Sequence, residues 1–539
     1  MIVMGLMVIS RILGFIRYKA IFYYFGRDFK TDAFFGAFTL PDTLYILVSG
    51  GAMSAAFIPV FAELIEKKKS QESWRLASAL LNLTFIVVGP CVILGIVFAP
   101  QLTHIILPGF SGKTFELTVV ITRILFPMVI FTTMSALYTG ILQSHEHFLA
   151  PGLSWSTHNV AMIAAAILFH SIYGIKGVAY GVVVGALSMV LVQLPVAIKK
   201  GLRYHLYFGF KDENVKRVIK LFLPALIGLS ISQVNLLIMP ITFGSFIGQG
   251  AVTALQGSVR LFLVPVGVFG NALSMAIFPR LSQQAGTGRM DDFKTTLVRG
   301  INTTFAFSLP SLMVCILLGV PIVRALFGGG KFTVADCEAT AYALTFYAIG
   351  LPGHTAVQTI TRGYYSLKDT KTPLYVGLFS VLFITIPFCI GLLNLHSFTI
   401  NILQWHISMK PLMWLFRVSP FCAMGIIARP LSFGGIALAV SVATLFNYFA
   451  LLGLLKWRVK GIAIMPVVFS MLRVSAATAI AGAACFALMK WVVAGLDPMI
   501  QMFAGLAVSG LIFIGAGKVF KVSEIDEMLD MVKKRFKRG

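Results

Sequence analysis

Ser10-Arg11-Ile12-Leu13-Gly14-Phe15-Ile16-Arg17-Tyr18-Lys19 lies inside the first long apolar stretch of the chain, roughly residues 2–25. In a soluble helix these three cations would be unremarked. In a bilayer each costs about 2.5–3.5 kcal/mol at mid-span, so it faces a cavity or a partner. Composition decides between the two settings. Of 539 residues, 58% are hydrophobic and 12% charged, and the mean hydropathy is +0.88. Soluble domains hold roughly 45–50% apolar and about 25% charged residues. Disorder needs the opposite balance. The apolar segments are continuous rather than alternating, which disfavours a β-barrel. An all-α polytopic membrane protein remains, with room for roughly 12–15 spans of about 20 residues each.

Fourteen spans are legible, at roughly 2–25, 33–62, 78–102, 120–143, 152–172, 177–198, 218–246, 250–279, 300–320, 338–365, 374–395, 432–455, 466–494 and 499–517. The formal net charge is +24. In a soluble protein that would point to nucleic acid; here most of it falls in alternate loops. Those after even-numbered spans carry Lys67–Lys69 and Arg75, then Lys199, Lys200, Arg203, Lys211, Lys216 and Arg217, and later Arg280, Arg289, Lys294 and Arg299. Lys456, Arg458, Lys460 and the basic tail continue the pattern, whereas the other loops are poor in cations. The asymmetry places both termini in the cytoplasm. No cleavable signal peptide is evident. Ile525, Met528, Leu529 and Val532 give the tail an amphipathic spacing that fits either a lipid-surface helix or a solvated tail. Residues 396–431 contain Lys410, Pro411, Arg417 and Pro420. They read as a re-entrant or interfacial insertion, or as an extra span that the basic loop and tail beyond argue against.

An internal repeat relates the halves. Ala56-Phe57-Ile58-Pro59 recurs as Ala276-Ile277-Phe278-Pro279, an offset of 220. Gly140 to Ser144 with Pro151 recurs as Gly363 to Ser366 with Pro373, offset by 222–223. Both matches shift by six spans, an even number, so the repeats are parallel and imply two pseudo-symmetric lobes with a site between them. The expected organisation is a first lobe over 1–200 and a second over 201–460 that includes the insertion. Two further helices follow over 461–520, then a basic tail over 521–539.

The informative charges are those inside spans. Arg17 lies near the middle of span 1. Arg260 lies about ten residues into span 8, roughly 15 Å along the helix. Arg11, Lys19, Arg123 and Arg362 are nearer span ends, where the plainer reading is snorkelling to headgroups. Asp42 in span 2 reads as a neutralising partner for an arginine, about ten residues past Asp32. Positive charge exceeds negative in the midplane, which suits an anionic ligand. Arginine binds phosphate oxygens bidentately and stays protonated. No HExxH, P-loop, GxSxG or kinase set is present, so a transporter is expected rather than an enzyme. Gly328-Gly329-Gly330-Lys331 follows a helix without the phosphate-loop spacing and reads as a turn. The six cysteines are scattered, and neither a disulfide framework nor a metal site is indicated. Without an ATP site or cofactor, transport would run on an ion gradient or the membrane potential.

The order of motifs resembles the MurJ/MviN family of the multidrug/oligosaccharidyl-lipid/polysaccharide exporter superfamily. The residues that carry it are Ser10 to Arg17, Thr31-Asp32-Ala33-Phe34-Phe35, Leu40-Pro41 and Gly51 to Pro59. They continue with Arg260-Leu261-Phe262, Pro265 to Gly270, Phe278 to Ser282, Gly330-Lys331-Phe332-Thr333 and Asp369 to Pro373. The resemblance implies a MATE-like fold, with two six-helix lobes around a cationic cavity and two C-terminal helices forming a lipid-facing groove. It implies a flippase for lipid II, the undecaprenyl-diphosphate-linked disaccharide pentapeptide, in the bacterial inner membrane. Membrane lipids and the cell-wall synthesis machinery would be further partners. On this resemblance the family's cavity arginines fall on Arg11, Arg17 and Arg260, and its acidic residue on Asp32; Arg362 and Asp42 complete the candidate substrate-binding set. The chain departs from the family pattern at Tyr18, at Tyr45-Ile46 and at Gly50, where charged residues are usual. Fewer cationic contacts, a network rearranged through Asp42 and Arg362, or a different cargo would each account for this. Another lipid-linked glycan, or a drug exchanged by antiport, is the alternative cargo.

Overall fold

The structure is a computed structural model that describes residues 2–47, 53–222, 234–394, 399–402, 405–408, 419–459, 461–463 and 465–526. Lys410, Arg417, Gly50 and the tail residues Met528, Leu529 and Val532 lie outside the described residues. The chain forms two compact units, each described by itself. The first comprises residues 1–253, 326–333 and 397–409; the second comprises 254–325, 334–396 and 410–539. The longest segment of the first unit ends at Thr253. One reason lies in the stretch that follows the sixth span. Its backbone is held on the third span, where Asn82 Nδ2 donates to the carbonyls of His205 and Tyr207 at 3.1 and 2.9 Å.

The first unit contains α1 (Ile2–Phe25), α2 (Phe29–Leu47), α3 (Met53–Glu66), α4 (Ser70–Val97), α5 (Ala99–Ile106), α6 (Gly112–Leu125), α7 (Met128–Ser144), α8 (Leu149–Leu168) and α9 (Ile175–Lys199). Three helical segments there, α4, α6 with α7, and α9, are long and apolar enough to cross a membrane. α2 and α3 form one interrupted span, and α6 and α7 form another that turns at Phe126-Pro127. α1 packs along α8, α8 along α9, and α3 and α4 on α7. Phe57, Phe61, Trp74, Leu137 and Ile141 are core residues there. A short helix, α10 (Met239–Gly244), follows a π-turn over Val234–Ile238.

The second unit holds most of α11 (Ala251–Pro265), then α12 (Ala272–Gly286), α13 (Met290–Leu317), α14 (Gly319–Phe327), α15 (Val334–Ile349), α16 (Leu351–Ser366), α17 (Lys371–Ser380), α18 (Ile386–Leu393), α19 (Pro420–Ile427), α20 (Phe433–Arg458), α21 (Met465–Trp491) and α22 (Pro498–Val519). α13 packs on α16 and α21, and α20 on α15 and α16. Phe293, Leu297, Ile301, Phe305 and Tyr364 fill its centre. The repeat read from sequence has a counterpart inside each unit: α3 packs on α7 in the first, and α12 on α16 in the second. These helices carry the repeated Ala-x-x-Pro and Gly-to-Ser motifs.

Nine helical segments among the described residues are long and apolar enough to cross a membrane. α1 is not one of them, because any bilayer-length stretch of it contains Arg11, Arg17 and Lys19. The insertion contains no described helix of spanning length. Thr399–Ile402 and Trp405–Ser408 form a two-stranded antiparallel hairpin, β1 and β2, whose first strand packs on α5. α19 has 8 residues, about 12 Å of rise. Val522 and Ile525 are buried at 2% and 4% exposure in the cluster formed with Val474 and Phe513, so the start of the tail folds back onto α21 and α22.

α18 and α19 meet backbone to backbone, as membrane helices do where small residues face each other. A Cβ on Gly391 would lie 2.0 Å from the Cys422 carbonyl oxygen, and one on Gly425 would lie 2.0 Å from that of Phe388. Gly391→Ala and Gly425→Ala are each expected to destabilise the protein by about 1–3 kcal/mol through overpacking. Gly453→Ala, at an open helix position, should not. Thermal unfolding of the purified protein checks both expectations.

Candidate functional site

α1 owes its orientation to one stripe. Tyr18, Ile21, Phe22 and Phe25, at positions i, i+3, i+4 and i+7, are all buried, the spacing of one helix face. Phe22 stacks on Phe332 at 4.6 Å and meets Phe327 edge-on at 5.2 Å, and Tyr18 stacks on Phe35 at 5.6 Å. The loop that delivers Phe332 is a tight reverse turn. The Gly329 amide donates to the Phe332 carbonyl at 3.2 Å, and the Lys331 amide to the Tyr23 carbonyl at 2.8 Å. Gly330 has φ +59°, and a Cβ there would lie 2.4 Å from the Tyr23 carbonyl oxygen. The Gly-rich run is thus a turn wedged against α1, as its spacing implies.

With that stripe inward, Arg17 lies half-buried on the flank of α1 that meets α8. Its guanidinium Nη1 approaches Met162 Sδ at 3.5 Å, and its Cζ is 5.0 Å from the Tyr18 ring centroid. His158, one turn before Met162 on α8, is 5% exposed. The cation therefore sits among soft and aromatic groups. Arg11, six residues earlier, is about 240° around the helix and about 9 Å along it. It is exposed, beside the exposed Ile12 and Ile16. Arg11 and Arg17 share a helix without sharing a face.

Asp32 is not brought to Arg17. It is 1% exposed, and its carboxylate accepts from the Gly250 amide, from the Thr253 amide at 2.8 Å and from Thr253 Oγ1 at 2.6 Å. A carboxylate at the first turn of α11 satisfies amides that lack intrahelical partners and complements the helix dipole. Its oxygens are taken up by the protein. Asp42 is half-buried in the second half of α2, directly after Pro41. Tyr45, where the family often has arginine, is 6% exposed and packs on Trp155 with ring centroids 5.3 Å apart. An aromatic pair stands in place of that cation.

In the second unit, Arg260 is half-buried on α11 between Val259 and Leu261, which are 3% and 6% exposed. Phe262 beside it packs on Tyr347 and His354 at 5.8 and 5.6 Å. Arg362 lies over the Phe278 ring at 5.5 Å and the Tyr365 ring at 6.0 Å. Aromatic faces hold such a cation by electrostatic attraction to the ring. Arg362 and Asp42 belong to different units.

One motif has a structural meaning that the sequence alone left unread. Asp369 accepts from the amides of Lys371 and Thr372 at 3.1 and 3.0 Å and from Thr372 Oγ1 at 2.7 Å, and it pairs with Arg458. Burial raises its pKa, but these hydrogen bonds and the Arg458 charge outweigh burial and leave it lowered. An Asp two and three residues before the amides it accepts from is the available signal, a helix-start motif.

Residues 21–404 match the family described as lipid II flippase MurJ. The chain is 31% identical over 392 residues to the lipid II flippase MurJ of Burkholderia cenocepacia, covering 71% of this chain and 75% of that protein. It is 32% identical over 378 residues to a probable lipid II flippase MurJ of Buchnera aphidicola, covering 69% and 74%. Among solved structures, a lipid II flippase MurJ in an inward closed conformation superposes with a TM-score of 0.74 at 24% identity, covering 96% of this chain and 98% of that one. An inward-facing MATE-family multidrug resistance transporter superposes with a TM-score of 0.66 at 13% identity, covering 84% and 95%. These likenesses give the MATE-like fold.

Replacing Asp32 by Ala should lower the unfolding midpoint, by about 1–3 kcal/mol for buried donors left unpaired. A residue that only touched substrate would reduce transport and leave thermal unfolding unmoved, so calorimetry or a dye-based melt separates the two. The match over residues 21–404 and the relatives above 30% identity establish that this chain belongs to the lipid II flippase MurJ family.

Proposed function

We propose that this protein is a lipid II flippase, carrying the undecaprenyl-diphosphate-linked peptidoglycan precursor from the cytoplasmic to the outer leaflet of a bacterial inner membrane. Membership of the family carries this reading. Arg17 and Arg260, half-buried in apolar helices, support it chemically. A diphosphate is a natural counter-ion for guanidinium groups kept out of bulk water. The polyprenyl tail stays in lipid while the headgroup crosses. Loop charge supports both termini facing the cytoplasm, and parallel repeats support alternating access by rocking of the lobes.

Arg17 in the first unit and Arg260 in the second are each proposed to bind diphosphate, with Arg11 at the exposed approach. Arg362, held between aromatic rings, is proposed to assist from the side, and Asp42 to balance charge. Asp32 is proposed to act through the helix terminus it holds. No catalytic step is assigned, because translocation changes no covalent bond. The driving force proposed is the membrane potential or an ion gradient, and the cell-wall synthesis machinery is the proposed consumer of the flipped precursor.

Arg17→Ala and Arg260→Ala should each fail to complement cells depleted of their flippase while inserting into the membrane at normal levels. Arg17→Lys should retain partial function, since it keeps the charge and loses the planar fork. The assay is leaflet accessibility of lipid II after depletion. Normal accessibility in both alanine variants would show the arginines to be structural and would overturn the proposed site.

A further inference from the structure

A cationic hollow lies wholly within the second unit. Two adjoining cavities of about 420 and 400 Å³ sit between the first turns of α13, the 461–466 connection, the start of α21 and the turn after α22. Both are lined by Asn302, Pro466, Ser523 and Glu524. Four cations reach the pair of cavities: Lys294 and Arg299 from α13, Arg473 from α21 and Lys521 from the turn. Among the described residues two carboxylates, Asp291 and Glu524, also line them, which leaves an excess of two positive charges.

The carboxylates are engaged locally. Asp291 pairs with Lys294 at 2.9 Å. Glu524, 8% exposed, accepts from Ser470 Oγ and Ser523 Oγ, each at 3.2 Å. Arg473 Nη1 donates to the Lys521 carbonyl at 3.4 Å, which ties α21 to the turn and fixes where that guanidinium sits. Asn302 Oδ1 is buried and has no hydrogen-bond partner among the described residues. A buried acceptor left in that state is costly unless an occupant donates to it.

The surroundings identify the occupant. α13 and α21 are both long and apolar enough to cross a membrane, and Lys294, Arg299 and Arg473 lie within about three turns of their starts. Phe469 lines the hollow and is 54% exposed; Leu472 and Met465 beside it are 61% and 62% exposed. A phosphate among the cations would thus have an apolar wall directly below it for acyl chains. Basic pockets between membrane helices bind anionic lipid headgroups in this way. The volume exceeds that of a bare phosphate and suits a phosphate carrying a hydroxylated alcohol whose O–H reaches Asn302.

We propose that this hollow is a binding site for an anionic phospholipid with a hydroxyl-bearing headgroup, of the phosphatidylglycerol type, bound through Arg299, Arg473, Lys521 and Asn302. The site is separate from the proposed translocation residues and does not rest on the identity of the cargo. It would tie the C-terminal helix pair to the surrounding leaflet.

The test uses the full chain purified into detergent and into nanodiscs. Native mass spectrometry should show about tenfold preferential retention of phosphatidylglycerol over phosphatidylcholine, given the contribution of each cation near a lipid surface. Arg299→Gln with Arg473→Gln should bring retention near parity while the protein elutes as a single folded species. Should that double variant not fold, Asn302→Leu is the second probe. It keeps the charges and should reduce preference for phosphatidylglycerol over phosphatidic acid. Lys67→Gln with Lys68→Gln, on the other unit, should change neither ratio. The proposal is overturned if the double variant or Asn302→Leu retains lipid as the wild type does. It is also overturned if inorganic phosphate or glycerol phosphate at millimolar concentration displaces the lipid, which would mark a site for free phosphate.

Discussion

The packing of Tyr18 and Phe22 against Phe35, Phe327 and Phe332 is the contact on which the proposed chemistry of the first unit depends. Hydrocarbon provides no directional preference for a helix that is apolar all round. An aromatic stripe supplies one, because rings stack or meet edge-on only in a few geometries. Once that stripe is inward, the rotation of α1 is set, and with it the direction in which Arg17 leaves the helix. There its guanidinium approaches a thioether and a ring face.

Carboxylates behave differently in this protein. Asp32 and Asp369 both serve backbone amides near helix starts, and each adds a threonine hydroxyl. Both also belong to motifs that mark the family. In this chain both motifs hold helix starts. Tyr45 packs on Trp155 where an arginine is common, and Arg362 rests between two rings.

Much of the fold was legible because the bilayer imposes it. Spans follow from runs of apolar residues, and the doubled motifs at offsets of 220 to 223 announce two related halves. The site was legible only in its costliest members. Arg17 and Arg260 stand out because a charge inside an apolar span needs a reason. Asp32 was read from resemblance as a cavity residue, yet its bonds run to amides more than 215 positions away in sequence, a pairing that no local pattern encodes. The same holds for the boundary after Thr253, which depends on where a loop folds back. The hairpin at 399–408 was obscured by a different cause. Its strands are four residues each, too short for an alternating pattern to show against apolar surroundings.

The loop 326–333 carries a consequence for biogenesis. It lies between helices of the second unit in sequence, yet it is built into the first, where Phe327 and Phe332 complete the aromatic cluster around α1. Chains emerge from the N-terminus at about 5–20 residues per second, and domains tend to fold as they appear. The first unit cannot finish in that order. Its six spans can be threaded into the membrane while the face of α1 that sets Arg17 still lacks its final rings. That wedge arrives with Phe332, 133 residues beyond Lys199, where the sixth span ends. Assembly of the first half therefore waits on the second, so a ribosome stalled between them would leave a membrane-embedded intermediate whose apolar face is open to chaperones and proteases.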